Sequence, residues 1–93
     1  MAERLLVVVD AFAARGGGVD VLPAVPSDRL PALTFAVTLR GSDGAERPAQ
    51  AVAVLSHVRG RLPPLARVRV EGVSLAEVPP GTEIWSETPP GEP

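Results

Sequence analysis

"LTFAVTLR", residues 33–40, decides the fold. Leu33, Phe35, Val37 and Leu39 alternate with Thr34, Ala36, Thr38 and Arg40. Successive side chains of a strand point to opposite faces, so an apolar residue at every second position sets one face in a core and leaves the other in water. "GSDGAE" follows at residues 41–46, and its Asp43-Gly44 step is a strong hairpin signal. The chain therefore turns back, and the return strand is expected over residues 48–58, where Ala and Val occupy both faces.

Working outward, Ala66, Val68 and Val70 alternate with Arg67, Arg69 and Glu71, a second one-sided strand. The runs "LLVVVDAF" (residues 5–12) and "VDVLPAV" (residues 19–25) are rich in β-branched residues and read as strands. Pro23 lacks an N–H and pushes the second run toward an edge or a bulge. "RGGG" (residues 15–18), "PSDRLP" (26–31) and "RGRLPP" (59–64) read as loops. Residues 82–86 read as the last strand. The sum is about six strands, no long helix and no repeat. The expected fold is all-β: a closed six-stranded antiparallel, Greek-key-like β-barrel over residues 1–88, with a disordered tail at 89–93. Closure removes exposed edges from valine-rich strands.

The stretch "SLAEVPPGTEIW" (residues 74–85) turns a corner. Ser74 and Glu77 have the spacing of a capping box, which opens a helical turn. Pro79 prevents that turn from continuing. Pro80-Gly81 suits the centre of a type II turn, where proline fixes φ and glycine supplies a positive one. Ile84 then faces the core and Trp85 the opposite face or the rim. This corner reads as a structural hinge before it reads as a site.

Composition excludes much. The chain of 93 residues suffices for one modest core. It is 45% hydrophobic, yet its aromatics are only Phe12, Phe35 and Trp85, so the core is built from Val, Leu and Ala. With no cysteine there are no disulfides, thiolate nucleophiles or cysteine metal sites, a usage compatible with the cytoplasm, the expected compartment. Glu3 and Arg4 precede an apolar run of only five residues, so neither a signal peptide nor a membrane segment is expected. All nine basic residues are Arg. Five of them fall between Arg47 and Val70 with no acid, and from Glu71 onward there are five Glu and no base. The net charge of −2 steers weakly, so this asymmetry is the electrostatic feature to follow.

Several segments resemble the second domain of elongation-factor-type translational GTPases. "VVVDAFAARGGGVDVLPAVP" is similar to its opening, "RGSDGAERPAQAVAVLSHV" to its central hairpin, and "VRVEGVSLAEVPPGTEIW" to its closing segment. The resemblance spans residues 4–86 and extends to small bacterial proteins made of this barrel alone. It implies a β-barrel. It does not carry GTPase activity or tRNA contacts to any residue here. "VLPAVPSDR" stands where the family usually has a Thr-Gly-Arg step, the nucleotide-binding domain is not part of this sequence, and no Lys exists to complete a phosphate loop.

Candidate sites are few. Arg15-Gly16-Gly17-Gly18 offers amides for a phosphate nest, but a strand rather than a helix follows, which favours a turn. His57 is the sole histidine, and alternation sends its neighbour Ser56 to the opposite face, so no catalytic pair forms. Asp10, Asp20 and Glu71 are too scattered to select a carboxylate pair, and no metal-ligand spacing occurs. Arg59, Arg61, Arg67 and Arg69 form the strongest candidate for anion, RNA or partner binding, since Arg forks grip phosphates and carboxylates. The competing reading pairs them with Glu71, Glu83 or Glu87 as a solvated face. RNA readers usually add aromatic platforms, and this chain has no Tyr.

The sequence therefore points to a non-enzymatic binding or adaptor module with a protein partner and no cofactor. Two alternatives stand beside it: an RNA- or ribosome-associated accessory protein using the Arg strip, and a catalytic fragment completed by a partner chain. Steep salt dependence marks RNA binding, and apolar anchors mark a protein adaptor.

Overall fold

The computed structural model describes residues 3–56 and 64–87. They form seven strands: β1 (Glu3–Val7), β2 (Asp10–Ala13), β3 (Val19–Pro26), β4 (Thr34–Arg40), β5 (Glu46–Ser56), β6 (Leu65–Glu71) and β7 (Glu83–Ser86). Two 3-10 turns, Ser27–Arg29 and Leu75–Glu77, complete the elements. The second is the helical turn expected near Ser74–Glu77; the first falls where only a loop was expected.

All pairings are antiparallel, in the order β1-β7-β4-β5-β6-β3-β2. Strands β4, β5 and β6 form a meander and β7 returns beside β4, the order of a Greek key. The hairpin at Asp43-Gly44 forms, with Arg40 opposite Glu46 and the Gly41 N–H donating to the Ala45 carbonyl at 2.9 Å. A register shift between Val21 and Val25 places a bulge around Pro23. That position is not on an edge, because β3 lies between β6 and β2.

The fold is a curled seven-stranded sheet, not a closed six-stranded barrel. The difference arises in the first valine run, which is two strands instead of one. The Val8 N–H donates to the Thr82 carbonyl and the Val9 N–H to the Leu22 carbonyl, each at 2.8 Å. One continuous segment thus serves β7 with its first half and β3 with its second. The two edges of the sheet, β1 and β2, are consecutive in the chain.

The concave face holds the core. Val8, Val19, Val21, Phe35, Val37, Leu39, Ala51, Val68, Val70 and Ile84 are all buried there. Each fully buried aliphatic side chain contributes roughly 1.5–3 kcal/mol by leaving water. The β4 alternation operates as expected from Phe35 to Leu39, but Leu33 is 63% exposed because the strand begins at Thr34. The link from β6 to β7 contributes Val78 to the core. Ile84 points inward and Trp85 is half-buried on the other face. Among the described residues, no helix is long and apolar enough to cross a membrane.

Candidate binding surface

Strand β3 places Val19 and Val21 in the core, so the intervening Asp20 emerges on the convex face. The register continues that row across the sheet: Phe12 on β2, Asp20 on β3, Arg69 on β6, Val52 on β5 and Thr34 on β4. Arg67, two residues before Arg69, stands opposite Val54 on the same face.

Asp20 is only 8% exposed although it lies on the outer face. Two arginines cover it. The Arg69 Nε donates to Asp20 Oδ1 at 2.7 Å and its Nη2 to Oδ2 at 3.4 Å. The Arg67 Nε lies 3.4 Å from the same Oδ2. That Nε is buried and makes no hydrogen bond among the described residues, so its attraction to Asp20 is Coulombic. The hydrogen bonds that Arg69 donates to Asp20, then the Asp20 charge, hold the Arg69 pKa above the ordinary guanidinium range. One carboxylate between two guanidiniums leaves one positive charge in excess, which the Glu71 charge offsets from further away at Arg69. Both arginines stay partly in water, with side chains 43% exposed for Arg67 and 31% for Arg69.

Of the expected Arg strip, Arg67 and Arg69 are therefore brought together. Arg59, Arg61 and His57 lie outside the described residues. Within them, the pairing partner is Asp20, not Glu71, Glu83 or Glu87, because β6 lies beside β3. Phe12 joins this surface, 51% exposed and directly across from Asp20. Its role is not legible from composition, which counts an aromatic toward the core. The Val19-Asp20-Val21 alternation is the signal that places Asp20 outside.

A second region surrounds the β4–β5 hairpin. A concavity of about 370 Å³ opens there, lined by Gly41, Ser42, Arg47, Glu77 and Pro79 among others. Its charged lining is Asp43, Glu46, Arg47 and Glu77. Arg47 pairs with Glu77, Glu46 lies 3.9 Å from Arg40, and Asp43 Oδ1 accepts the Ala45 N–H at 3.0 Å, so each of these charges already has a partner. The Ser74–Glu77 capping box is present. The Glu77 Oε1 accepts the Ser74 N–H at 2.7 Å, and this bond, with the Arg47 hydrogen bond second, lowers the Glu77 pKa below its ordinary value. The Thr82 N–H donates to the Pro79 carbonyl at 3.2 Å, closing a turn over Pro80 and Gly81, with Gly81 at φ +96°. Trp85 sits between Arg4 and Thr38 in register, and its Nε1–H donates to Glu83 Oε1 at 2.8 Å.

The Gly-rich turn shows three successive positive φ values, 88°, 120° and 80° at Gly16, Gly17 and Gly18. An anion nest needs residues that alternate between right- and left-handed conformations, so the turn reading prevails. Among the described residues, no group of three or more His, Cys, Asp or Glu could hold a metal ion. The chain matches no family model, no curated protein and no solved structure.

Proposed function

We propose that the protein is a non-enzymatic binding module, or adaptor, that engages a protein partner through the convex face carrying Phe12, Arg67 and Arg69. The observation that carries this reading is Asp20, a carboxylate 8% exposed that fixes two arginines beside a half-exposed phenylalanine. Aromatic side chains and arginines are enriched at protein interfaces, and prior fixation lowers the ordering cost of binding. In this reading the module is cytoplasmic and a stand-alone relative of the elongation-factor second domain. The Greek-key order, the Asp43-Gly44 hairpin and the Pro80-Gly81 corner support that likeness. The curled sheet is then a variant of that barrel with its first strand divided between two edges.

A second reading is RNA binding, favoured by the one excess guanidinium over Asp20. The nearby Asp20 and Glu71 carboxylates weigh against a polyphosphate. Photo-crosslinking decides between them. A photoreactive phenylalanine analogue replaces Phe12 in source cells, with Ser42 as the control position. Protein adducts from position 12 and not from 42 support the adaptor; RNA adducts support the second reading. No adduct of either kind from position 12 rejects this surface.

A further inference from the structure

We infer that the occupant of this face is an extended protein segment presenting an apolar side chain and, about four residues further on, a carboxylate. The inference rests on the binding-module reading and adds the chemistry of the partner. Asp20 accepts hydrogen bonds from the Nε and Nη2 of Arg69, and the Arg67 Nε lies 3.4 Å from it without a hydrogen bond. Among the described residues, no acceptor holds the two Nη groups of Arg67, and its side chain is 43% exposed. That fork is the unneutralised charge of the cluster, and a carboxylate accepts from such a fork through two parallel hydrogen bonds.

Phe12 supplies the second contact. It stands two strands away from β6, directly in line with Arg69, while Arg67 lies two residues along from that line. Strand spacing and rise place the two anchor positions about 12 Å apart on the diagonal. An extended chain covers this in about four residues, and a spacing of four returns its side chains to the same face. Val52 and Val54, half-buried on β5 beside Arg69 and Arg67, continue an apolar surface beyond the carboxylate end of the segment. A nucleic acid strand fits less well. It would bring a phosphate at every step toward a cluster whose two guanidiniums already face Asp20, and Arg69 also feels the Glu71 charge. A single acidic side chain meets only the open Arg67 fork.

The test uses the whole chain and a short synthetic peptide with one Leu and, four residues on, one Glu in a Ser/Thr background. Its controls replace Glu by Gln, or Leu by Ser, and a decauridylate serves as the RNA probe. Backbone amide NMR shifts should map to Phe12, Val52, Arg67 and Arg69, with the Gln peptide about tenfold weaker, as expected for loss of one charged anchor. Arg67→Gln leaves Arg69 to hold Asp20 and should abolish the preference for Glu over Gln. Phe12→Ser alters an exposed residue and should abolish the preference for Leu over Ser. Equal binding of Glu and Gln peptides, no shifts on this face, or stronger shifts there with decauridylate overturns the inference. A crosslinked protein partner whose contact segment carries no acid would overturn it while leaving the adaptor reading intact.

Discussion

Arg29 donates from Nη2 to the carbonyl of Arg4 at 3.0 Å and from Nη1 to that of Leu5 at 3.4 Å. Both carbonyls belong to β1, one of the two edges of the sheet. Consecutive carbonyls normally point opposite ways along a strand. A register shift between Arg4 and Leu6 lets one guanidinium reach both. On the other edge, Asp10 Oδ1 accepts the N–H of Ala11 at 2.8 Å. An open edge invites pairing with another chain, and charged side chains placed on it are a common defence. The sheet is not closed, and each of its edges carries such a guard.

Removing the guards should expose the edges. The double variant Arg29→Ala, Asp10→Ala is expected to self-associate more than the parent at equal concentration, as read by size-exclusion chromatography with light scattering. Arg29→Ala alone should cost about 1–2 kcal/mol, the scale of hydrogen bonds from a charged donor. An unchanged mass for the double variant would show that the edges are protected by something else.

Asp20 should be the most costly exposed-face residue to remove. Asp20→Ala leaves two guanidiniums facing each other and is expected to destabilise by about 1–3 kcal/mol, less than a fully buried pair because both arginines reach water. A double-mutant cycle should give a larger coupling for Asp20 with Arg69 than with Arg67. The first pair has two hydrogen bonds, the shorter 2.7 Å, whereas the second is a single 3.4 Å approach. Equal couplings would mean that charge alone, and not hydrogen-bond geometry, holds the cluster.

What was legible in the sequence follows from which interactions are local. Phe35, Val37 and Leu39 alternate strictly, and Val68 and Val70 do the same, so β4 and β6 could be read directly. The Ser74–Glu77 turn and the Pro80-Gly81 corner could be read too, because their residue types impose backbone geometry within a few positions. The division of the first strand could not. Leu5 to Val9 contains no breaker, and the break comes from distant partners, Thr82 on one side and Leu22 on the other. The candidate surface was half legible for the same reason. Arg67 and Arg69 announce themselves by spacing, but their partner Asp20 and their neighbour Phe12 are fixed only by strand order.

Glu77 should make stability depend on pH. Its pKa is lowered in the folded protein from the ordinary value of 4.5, first by the Ser74 N–H and then by Arg47. A depressed folded-state pKa means that the ionised form is favoured by folding. The contribution is therefore fully present above the unfolded value and is lost as pH falls through the folded one. Glu77→Gln should be less stable than the parent at neutral pH. The two urea midpoints should converge on acidification below about 4.5. A constant gap across that range would assign the loss to shape and not to charge.

Gly81 tests whether the corner is a hinge. Its φ is +96°, a conformation that side chains with a Cβ rarely adopt, and its N–H donates to the Val8 carbonyl at 2.8 Å. The turn thus pins β7 to the junction where the first segment passes from one sheet edge to the other. A Cβ added at Gly81 would meet nothing within 4 Å, so any cost of substitution is conformational and not a clash. Gly81→Val should destabilise by about 1–3 kcal/mol, since a β-branched residue is strained at positive φ. Gly81→Asn should cost less, because Asn tolerates that region better. Urea midpoints of both variants, measured beside the parent, give the ranking. If valine and asparagine cost the same, backbone strain is not the cause. If neither variant shifts the midpoint, the corner is not structural, and its Pro-Gly sequence has to be explained by what it contacts.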